Sequence, residues 1–122
     1  MDDLKILVVD DESRMRKLVK DFLIFDLSLK DQVADLAEKA WAMFGHIDVF
    51  YNNAGISQRG TTCDTEMRVI NKVMDINWFA PVIMTKVILP KMIENGGGQL
   101  VVTTSINGRF GFPLRCAYSP RA

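Results

Sequence analysis

The chain has little of several features that would point to a specialised environment. Lys and Arg together number 15, as do Asp and Glu, so no charge excess favours nucleic acid or an anionic membrane as partner. No apolar run predicts a membrane span, and no basic-then-apolar leader precedes the first predicted strand. The two cysteines, Cys63 and Cys116, lack metal-type spacing and fit a reducing cytoplasm. With 122 residues, 48% of them hydrophobic, we expect one cytoplasmic domain, residues 1–122.

Glycine is also missing from the first third of the chain, since none precedes Gly45. The run Leu4–Val9 is apolar apart from Lys5 and predicts a buried strand. It ends in the acidic segment 10–12, where a helix can begin with carboxylates at its positive end. Apolar residues at spacings of three and four then predict one helix face: Met15, Leu18, Val19, Phe22 and Leu23.

A second strand and helix are predicted between residues 24 and 45. Ile24–Leu27 resembles a short strand, and Ser28 with Asp31 forms a variant of the capping box. Gly45 is expected to end the helix. Its apolar face is expected to comprise Val33, Leu36, Ala37, Ala40, Trp41 and Phe44.

The segment Ile47–Gly55 is the most informative stretch of the chain. Mostly apolar residues run directly into Asn52, Asn53, Ala54 and Gly55, which predicts a buried parallel strand followed by a turn. Ligands of parallel α/β sheets bind beyond the carboxyl ends of strands, so this turn is a candidate binding loop.

A long helix is predicted after this loop, beginning near residues 64–66 and bent by Pro81. Four methionines are expected to fill the core rather than form a site: Met67, Met74, Met84 and Met92. The glycines 96–98 predict a turn, since the strand Gln99–Thr104 follows them rather than a helix.

The string Asn-Asn-Ala-Gly after an apolar strand resembles the short-chain dehydrogenase/reductase family, and the match runs in order over about residues 25–119. The resemblance implies catalytic roles for three residues: Asn77 would hold a water, Ser105 the substrate oxygen, and Tyr118 would act as acid or base. It also implies NAD or NADP as cofactor. The cofactor-binding residues would be Asp26, near the adenine ring, with Asn52, Ala54 and Gly55.

Two positions depart from the pattern of that family. The family has a Gly-rich turn after its first strand, which lets the backbone approach the pyrophosphate at a helix N-terminus. Here Asp10, Asp11 and Glu12 occupy that turn. The family also places a Lys four residues after the Tyr, which helps a group that ordinarily ionises near pH ~10 to act at neutral pH. Here that position is Ala122.

Residues 1 to 23 resemble a different family, the receiver domain of response regulators. The match rests on the first strand, the acidic pair Asp10 and Asp11, and the helix that follows. In that family the acidic pair helps to bind magnesium beside a phosphorylated Asp, but here the equivalent strand ends in Asn52 and Asn53. Two carboxylates alone bind magnesium weakly, so capping of a helix is the alternative role.

We therefore expect a three-layer α/β sandwich with a doubly wound parallel sheet of about four strands in the order 2-1-3-4, flavodoxin-like or Rossmann-like. The departures favour an engineered chimera of a receiver part, residues 1–23, and a dehydrogenase-like part, residues 24–122. Such a chain would be no enzyme, with no evolved activity and no cofactor. The alternatives are a remnant NAD(P)-binding dehydrogenase module and an inactive, receiver-like magnesium-binding module.

The junction at Leu23 predicts a homodimer formed by exchange of residues 1–23. A strand of about six residues spans roughly 20 Å at ~3.3 Å per residue, and a return helix needs about 13 residues at ~1.5 Å each. Almost no residue is then left for the turn before Ile24, and short hinges favour exchange. Inserting about four residues with a Gly after Leu23 should therefore favour a monomer. Light scattering checks this, and a strictly monomeric parent chain would contradict it.

Overall fold

The computed structural model describes residues 6–9, 26–111 and 113–118. Three strands form one parallel sheet in these residues: β1 (Ile6–Val9), β2 (Val49–Asn52) and β3 (Gln99–Val102), in the order β1-β2-β3. In the register, Asn52 pairs with Val9 on one side and with Val102 on the other. All three carboxyl ends therefore meet at one edge of the sheet.

The first described helix, α1 (Lys30–Phe44), packs on this sheet through its predicted face. Val33, Leu36, Ala37 and Ala40 are buried, which confirms the periodicity. Gly45 ends the helix with a φ of 74°, and its N–H donates to the Trp41 carbonyl at 2.9 Å. Only a residue without Cβ takes this left-handed conformation at no steric cost.

The residues just before α1 differ from the prediction. Ser28 does not cap the helix: Leu29 occupies the N-cap position, with no side-chain hydrogen bond. The Ser28 N–H and hydroxyl instead both donate to Asp26 Oδ1, at 2.9 and 2.7 Å. This local bonding competes with a strand, and Asp26 and Leu27 lie in an irregular segment and a turn. The predicted strand Ile24–Leu27 is therefore wrong for its last two residues, while its first two lie outside the described residues.

A long helical segment follows β2 and consists of α2 (Met67–Met74), a π-helical turn (Asp75–Phe79) and α3 (Ala80–Glu94). The N–H of Ala80 donates to the carbonyl of Asp75, five residues earlier. Pro81 follows directly and has no N–H to donate to the carbonyl of Asn77, four residues before it. The predicted irregularity at Pro81 therefore takes the form of a π turn centred on Asn77.

The core lies between β2 and the two helices α1 and α3, which pack against each other. Phe50 is fully buried at its centre. The buried side chains that surround it are Val33, Leu36, Ile47, Ile76, Met84, Ile88 and Met92. Two of the four methionines predicted for the core are in it, whereas Met67 is 64% exposed.

An ion pair also joins the two helices: Lys91 Nζ lies 3.0 Å from Glu38 Oε2. A second pair, Lys30 Nζ and Asp75 Oδ1 at 3.5 Å, ties the start of α1 to the π turn. Lys30 also lies over the Phe79 ring, 4.8 Å from its centroid. These exposed contacts orient the π turn relative to α1 more than they stabilise the fold.

One sequence expectation about membranes is wrong. Within the described residues, the helical segment Met67–Glu94 has 28 residues and is, by length and composition only, apolar enough to cross a bilayer. The core helix of a soluble protein passes the same test, and this segment contributes Met84, Ile88 and Met92 to the core. The cytoplasmic location remains a prediction.

The α/β class and the parallel sheet are confirmed. The strand order β1-β2-β3 corresponds to the last three positions of the predicted order 2-1-3-4, and the four-strand order itself remains a prediction. Exchange of residues 1–23 between two chains also remains a prediction, because residues 10–25 lie outside the described residues.

Gly98 is a glycine at which a side chain has very little room. A Cβ there would overlap the terminal methyl of Met92 and lie 2.9 Å from the Asp48 carbonyl oxygen. We expect Gly98→Ala to lower the free energy of unfolding by about 1–3 kcal/mol, because the backbone at Asp48 must shift. Urea denaturation measures this.

Gly108→Ala is the matched control, since nothing lies within 4 Å of a Cβ built there. Its effect should stay within about 0.5 kcal/mol. Equal stabilities for the two variants would contradict the close approach of Gly98 to β2.

Candidate functional site at the carboxyl edge of the sheet

The chain leaves β2 and β3 side by side at the carboxyl edge. The Thr103 N–H donates to the Asn52 carbonyl at 2.9 Å and so continues the pairing past the last residue of β3. The Thr103 hydroxyl donates to Asn53 Oδ1 at 2.6 Å. Since its single proton is used there, Tyr51 donates to the Thr103 oxygen, at 3.0 Å. These bonds hold the Asn-Asn-Ala-Gly loop beside the end of β3.

The four residues of that loop have different surroundings. Asn52 is 5% exposed and its Nδ2 lies 3.5 Å from the hydroxyl of Thr85 on α3, so its amide faces the core. Ala54 is half-buried and packs against the core. Gly55 is exposed. Of the residues predicted to bind a cofactor, Ala54 and Gly55 therefore lie nearer the open edge than the Asn52 amide.

Asn77 joins the π turn to this loop. Its Oδ1 accepts from the Ile56 N–H and its Nδ2 donates to the Ile56 carbonyl, both at 2.8 Å. A Cβ on Gly55 would lie 3.6 Å from the same Oδ1, so the loop and the asparagine are in contact. One amide thus satisfies both backbone groups of Ile56. π turns inside α-helices are frequent at functional sites.

Ser105 and Tyr118 lie on the segment that follows β3. The hydroxyl of Ser105 accepts from the Asn107 N–H at 3.3 Å, at the start of a short 3-10 turn, Ile106–Gly108. Tyr118 is half-buried, and its N–H donates to the Arg115 carbonyl at 3.0 Å. In the described residues, no hydrogen bond joins the two hydroxyls directly.

Asp26, the residue predicted to lie near the adenine ring, lies just before α1. Its carboxylate accepts the two hydrogen bonds from Ser28, and these lower its pKa, the side-chain bond more than the backbone bond. The positive charge of Lys72 also contributes to this lowering. The carboxylate is exposed, so it is charged and accessible at neutral pH.

Asp10, Asp11 and Ala122 lie outside the described residues, so the structure says nothing of the magnesium prediction. Among the residues that are described, no group of three or more His, Cys, Asp or Glu side chains could hold a metal ion.

Sequence reasoning missed three residues that hold the loops of this edge: Gln58, Thr103 and Arg115. Arg115 Nη1 donates to the Gln58 carbonyl, at 3.1 Å, and to the Ser57 hydroxyl. None of the three belongs to a motif. The side-chain partners of Thr103 and Arg115 are at least 50 positions away, and Gln58 bonds Gly60 and Thr65 nearby as well as Cys116 58 positions away, so local sequence gave no clear signal for them.

A parallel α/β sheet with polar loops at its carboxyl edge defines a Rossmann-like protein. A family model described as "short chain dehydrogenase" matches residues 6–120. The chain belongs to the short-chain dehydrogenase family.

Relatives and solved structures agree with this assignment. A dehydrogenase/reductase SDR family member 7B from Xenopus laevis is 40% identical over 129 residues, covering 93% of this chain and 40% of that protein. The mouse protein of the same name is 47% identical over 95 residues, covering 78% of this chain and 29% of its own length. The chain thus spans less than half of these relatives.

Among solved structures, one titled "ElxO with NADP Bound" is 32% identical with a TM-score of 0.72, covering 82% of this chain and 41% of that one. A short-chain dehydrogenase from Streptomyces avermitilis is 31% identical with a TM-score of 0.71, covering 79% of this chain and 35% of that one.

These matches overturn the expectation of an engineered chimera. The family match covers residues 6–120 and so includes both sides of the supposed junction at Leu23, and the comparisons give no evidence of a receiver parent for residues 1–23. The expectations of no evolved activity and of no enzyme are wrong as well, because the relatives are named as dehydrogenases or reductases. The acidic turn and Ala122 are local departures within a chain that otherwise matches the family over residues 6–120.

The Asn77 clamp on Ile56 is testable by itself. Asn77→Ala removes two hydrogen bonds, and we expect it to lower the free energy of unfolding by about 1–3 kcal/mol. The Ile56 amide proton should exchange faster, because its acceptor is lost. Hydrogen-exchange NMR and urea denaturation measure the two effects.

Asn95→Ala is the matched control, because its side chain makes one exposed hydrogen bond, to the Lys91 carbonyl at 2.8 Å. It should cost about 0.5–1 kcal/mol and leave Ile56 exchange unchanged. Unchanged Ile56 exchange in Asn77→Ala would contradict the clamp.

Proposed function

We propose that this chain carries the site of an NAD(P)-linked oxidoreductase that interconverts an alcohol and a carbonyl compound. The observation that carries the proposal is the Asn77 clamp. It joins the asparagine matched to the family's catalytic residue to the Asn-Asn-Ala-Gly loop, at the edge of the sheet where ligands of this fold bind. The names of the relatives support the same class of reaction.

The residues at the edge fit the nucleoside parts of such a cofactor. Gly55 and Thr104 are exposed there and carry a backbone amide and a hydroxyl, the neutral groups that suit ribose and a carboxamide. The exposed Asp26 carboxylate can accept from an exocyclic amine or a ribose hydroxyl. The solved structure titled "ElxO with NADP Bound" supports NADP, and one titled "Crystal Structure of NAD+-Bound Xylitol Dehydrogenase", at 26% identity and a TM-score of 0.71, supports NAD.

The pyrophosphate is the part of the cofactor for which the sequence has the least suitable binding residues. Carboxylates at Asp10, Asp11 and Glu12 repel an anion where other members have glycines. We therefore expect the nucleoside contacts to supply most of the affinity, so the measured affinity should depend little on the pyrophosphate.

The chemistry assigned to the chain's own residues is proton transfer and orientation. When bound, the nicotinamide supplies or accepts the hydride. The Ser105 hydroxyl holds the substrate oxygen, and Tyr118 gives a proton to that oxygen or takes one from it. Asn77 keeps the loop in place by its two hydrogen bonds to Ile56. Ala122 stands four residues after Tyr118, at the position where the family has a Lys, so the sequence supplies no ammonium there.

Nucleotide binding and turnover test the proposal together. The chain is titrated with NADPH and NADH while emission of its two tryptophans, Trp41 and Trp78, is followed for energy transfer to the nicotinamide. Reduction of a panel of ketones and aldehydes is then assayed. We expect Tyr118→Phe to keep binding and to lose about 10²–10⁴-fold in turnover, because it removes the acid–base group.

Tyr51→Phe, the variant of the only other tyrosine, should lose far less turnover than Tyr118→Phe. Two results would overturn the proposal. One is an absence of binding to either nucleotide at millimolar concentration. The other is turnover that Tyr118→Phe leaves unchanged.

A further inference from the structure

The loop after Asn-Asn-Ala-Gly is held from two sides. Asn77 binds it at Ile56, as described above. Four residues further on, the Gly60 N–H donates to the Leu114 carbonyl at 3.1 Å, and Gly60 and Arg115 form an isolated parallel bridge. The segment 56–60 therefore links the π turn to the segment that carries Tyr118.

Arg115 makes the side-chain part of this second attachment. Its Nη1 donates to the Gln58 carbonyl at 3.1 Å and to the hydroxyl of Ser57. Arg115 is half-buried, so these charge-assisted bonds are partly shielded from water and are stronger than bonds between neutral groups. One guanidinium thus fixes two consecutive residues of a loop 57 positions away.

The Gln58 side chain also joins the two segments, because it reaches Cys116, the residue after Arg115. It is 7% exposed, and its Nε2 lies within hydrogen-bond distance of the Gly60 carbonyl, the Thr65 hydroxyl and the Cys116 Sγ, at 3.4, 3.3 and 3.2 Å. Its Oε1 is buried and has no partner among the described residues. Burial of an unsatisfied acceptor is costly, so the surrounding contacts must hold Gln58 in place.

Leu114 has a backbone conformation that residues other than glycine rarely adopt. Its φ is 62°, and it is the one residue other than glycine with a positive φ in the described part of the chain. A branched side chain rarely adopts this conformation, which persists only where neighbouring contacts impose it. The neighbours that impose it are the Gly60 N–H on one side and Arg115 on the other.

The position of Tyr118 depends on the same turn. The Tyr118 N–H donates to the Arg115 carbonyl at 3.0 Å, and Ala117 between them is 5% exposed. A displacement of Arg115 therefore moves the backbone of Tyr118 as well.

We propose that Arg115 is a positioning residue, which sets the Tyr118 side chain relative to the Asn77 side of the edge by binding Ser57 and Gln58. The inference rests on the proposed function, since it takes Tyr118 as the acid–base group. The effect of Arg115 on the reaction is transmitted through the loop 56–60.

The first experiment needs no activity. The chain is labelled with 3-fluorotyrosine, and its two resonances, from Tyr51 and Tyr118, are assigned with Tyr51→Phe. We expect Arg115→Ala to shift or broaden the Tyr118 resonance. It should also speed exchange of the Gly60 and Tyr118 amide protons about tenfold, while Ile56, held by Asn77, stays protected.

Arg59→Ala is the matched control, because Arg59 is an exposed arginine on the same loop. It should leave both resonances and all three amides unchanged. If Arg115→Ala does not fold, as judged by circular dichroism, Ser57→Ala takes its place and should change the same signals in the same direction by less. Signals of Tyr118 that neither variant changes would overturn the inference.

The second experiment separates positioning from general stability. In the active chain, Arg115→Ala should lower kcat by about 10²-fold with the KM for nucleotide unchanged, as expected for a misplaced catalytic group. Arg115→Lys, which keeps the charge but loses the planar set of donors, should be intermediate. Guanidinium ion at non-denaturing concentration should restore part of the loss in Arg115→Ala and none in Tyr118→Phe.

The outcomes for the two proposals are distinguishable. A chain that binds no nucleotide refutes the proposed function, while the fluorine signal still reports whether Arg115 positions Tyr118. An active chain whose kcat falls equally in Arg59→Ala and Arg115→Ala refutes the inference alone.

Discussion

The packing of α3 against α1 over Phe50 is the interaction on which the rest of the structure depends. Both helices bury their apolar faces on β2, and Phe50, Met84 and Ile88 have almost no exposed surface. Burying side chains of this size contributes about 1.5–3 kcal/mol each, more than any exposed ion pair in the chain. This core places the π turn, and with it Asn77, beside the loop that follows β2.

The π turn is the feature that brings Asn77 from the packed helix to the loop after β2. In a regular α-helix, the ring of Pro81 would clash with the Asn77 carbonyl, and that carbonyl would have no N–H to accept from. The helix instead forms a wider π turn over Asp75–Phe79. Asn77 then bonds both backbone groups of Ile56. The loop leaves the sheet after Asn52, and the isolated Gly60–Arg115 bridge is its one strand-like pairing in the described residues, so these side-chain bonds support it.

The two loops at the edge hold each other by polar contacts rather than by apolar packing. Thr103 binds Asn53, Arg115 binds Ser57 and Gln58, and Gly60 binds the carbonyl of Leu114. Hydrogen bonds of known direction fix position to within tenths of an ångström, whereas apolar contacts tolerate sliding. A site that must place a proton donor near a substrate oxygen benefits from this kind of support.

The sequence by itself determined the class of fold, the strand at 49–52, the amphipathic face of α1, the glycine that ends it, and the family, because each of these depends on local periodicity or on a contiguous motif. It misled where two unusual positions, the acidic turn and Ala122, were given more weight than the ordered match around them. It also misplaced the cap at Ser28, because hydroxyl, amide and carboxylate groups close in sequence can pair in several ways. Only the tertiary structure decided that Asn77 binds Ile56 and that Arg115 binds the loop at residues 57 and 58. Those partners lie 21 and 57 positions apart in sequence, and only the packing of the helices on the sheet brings them within hydrogen-bond distance.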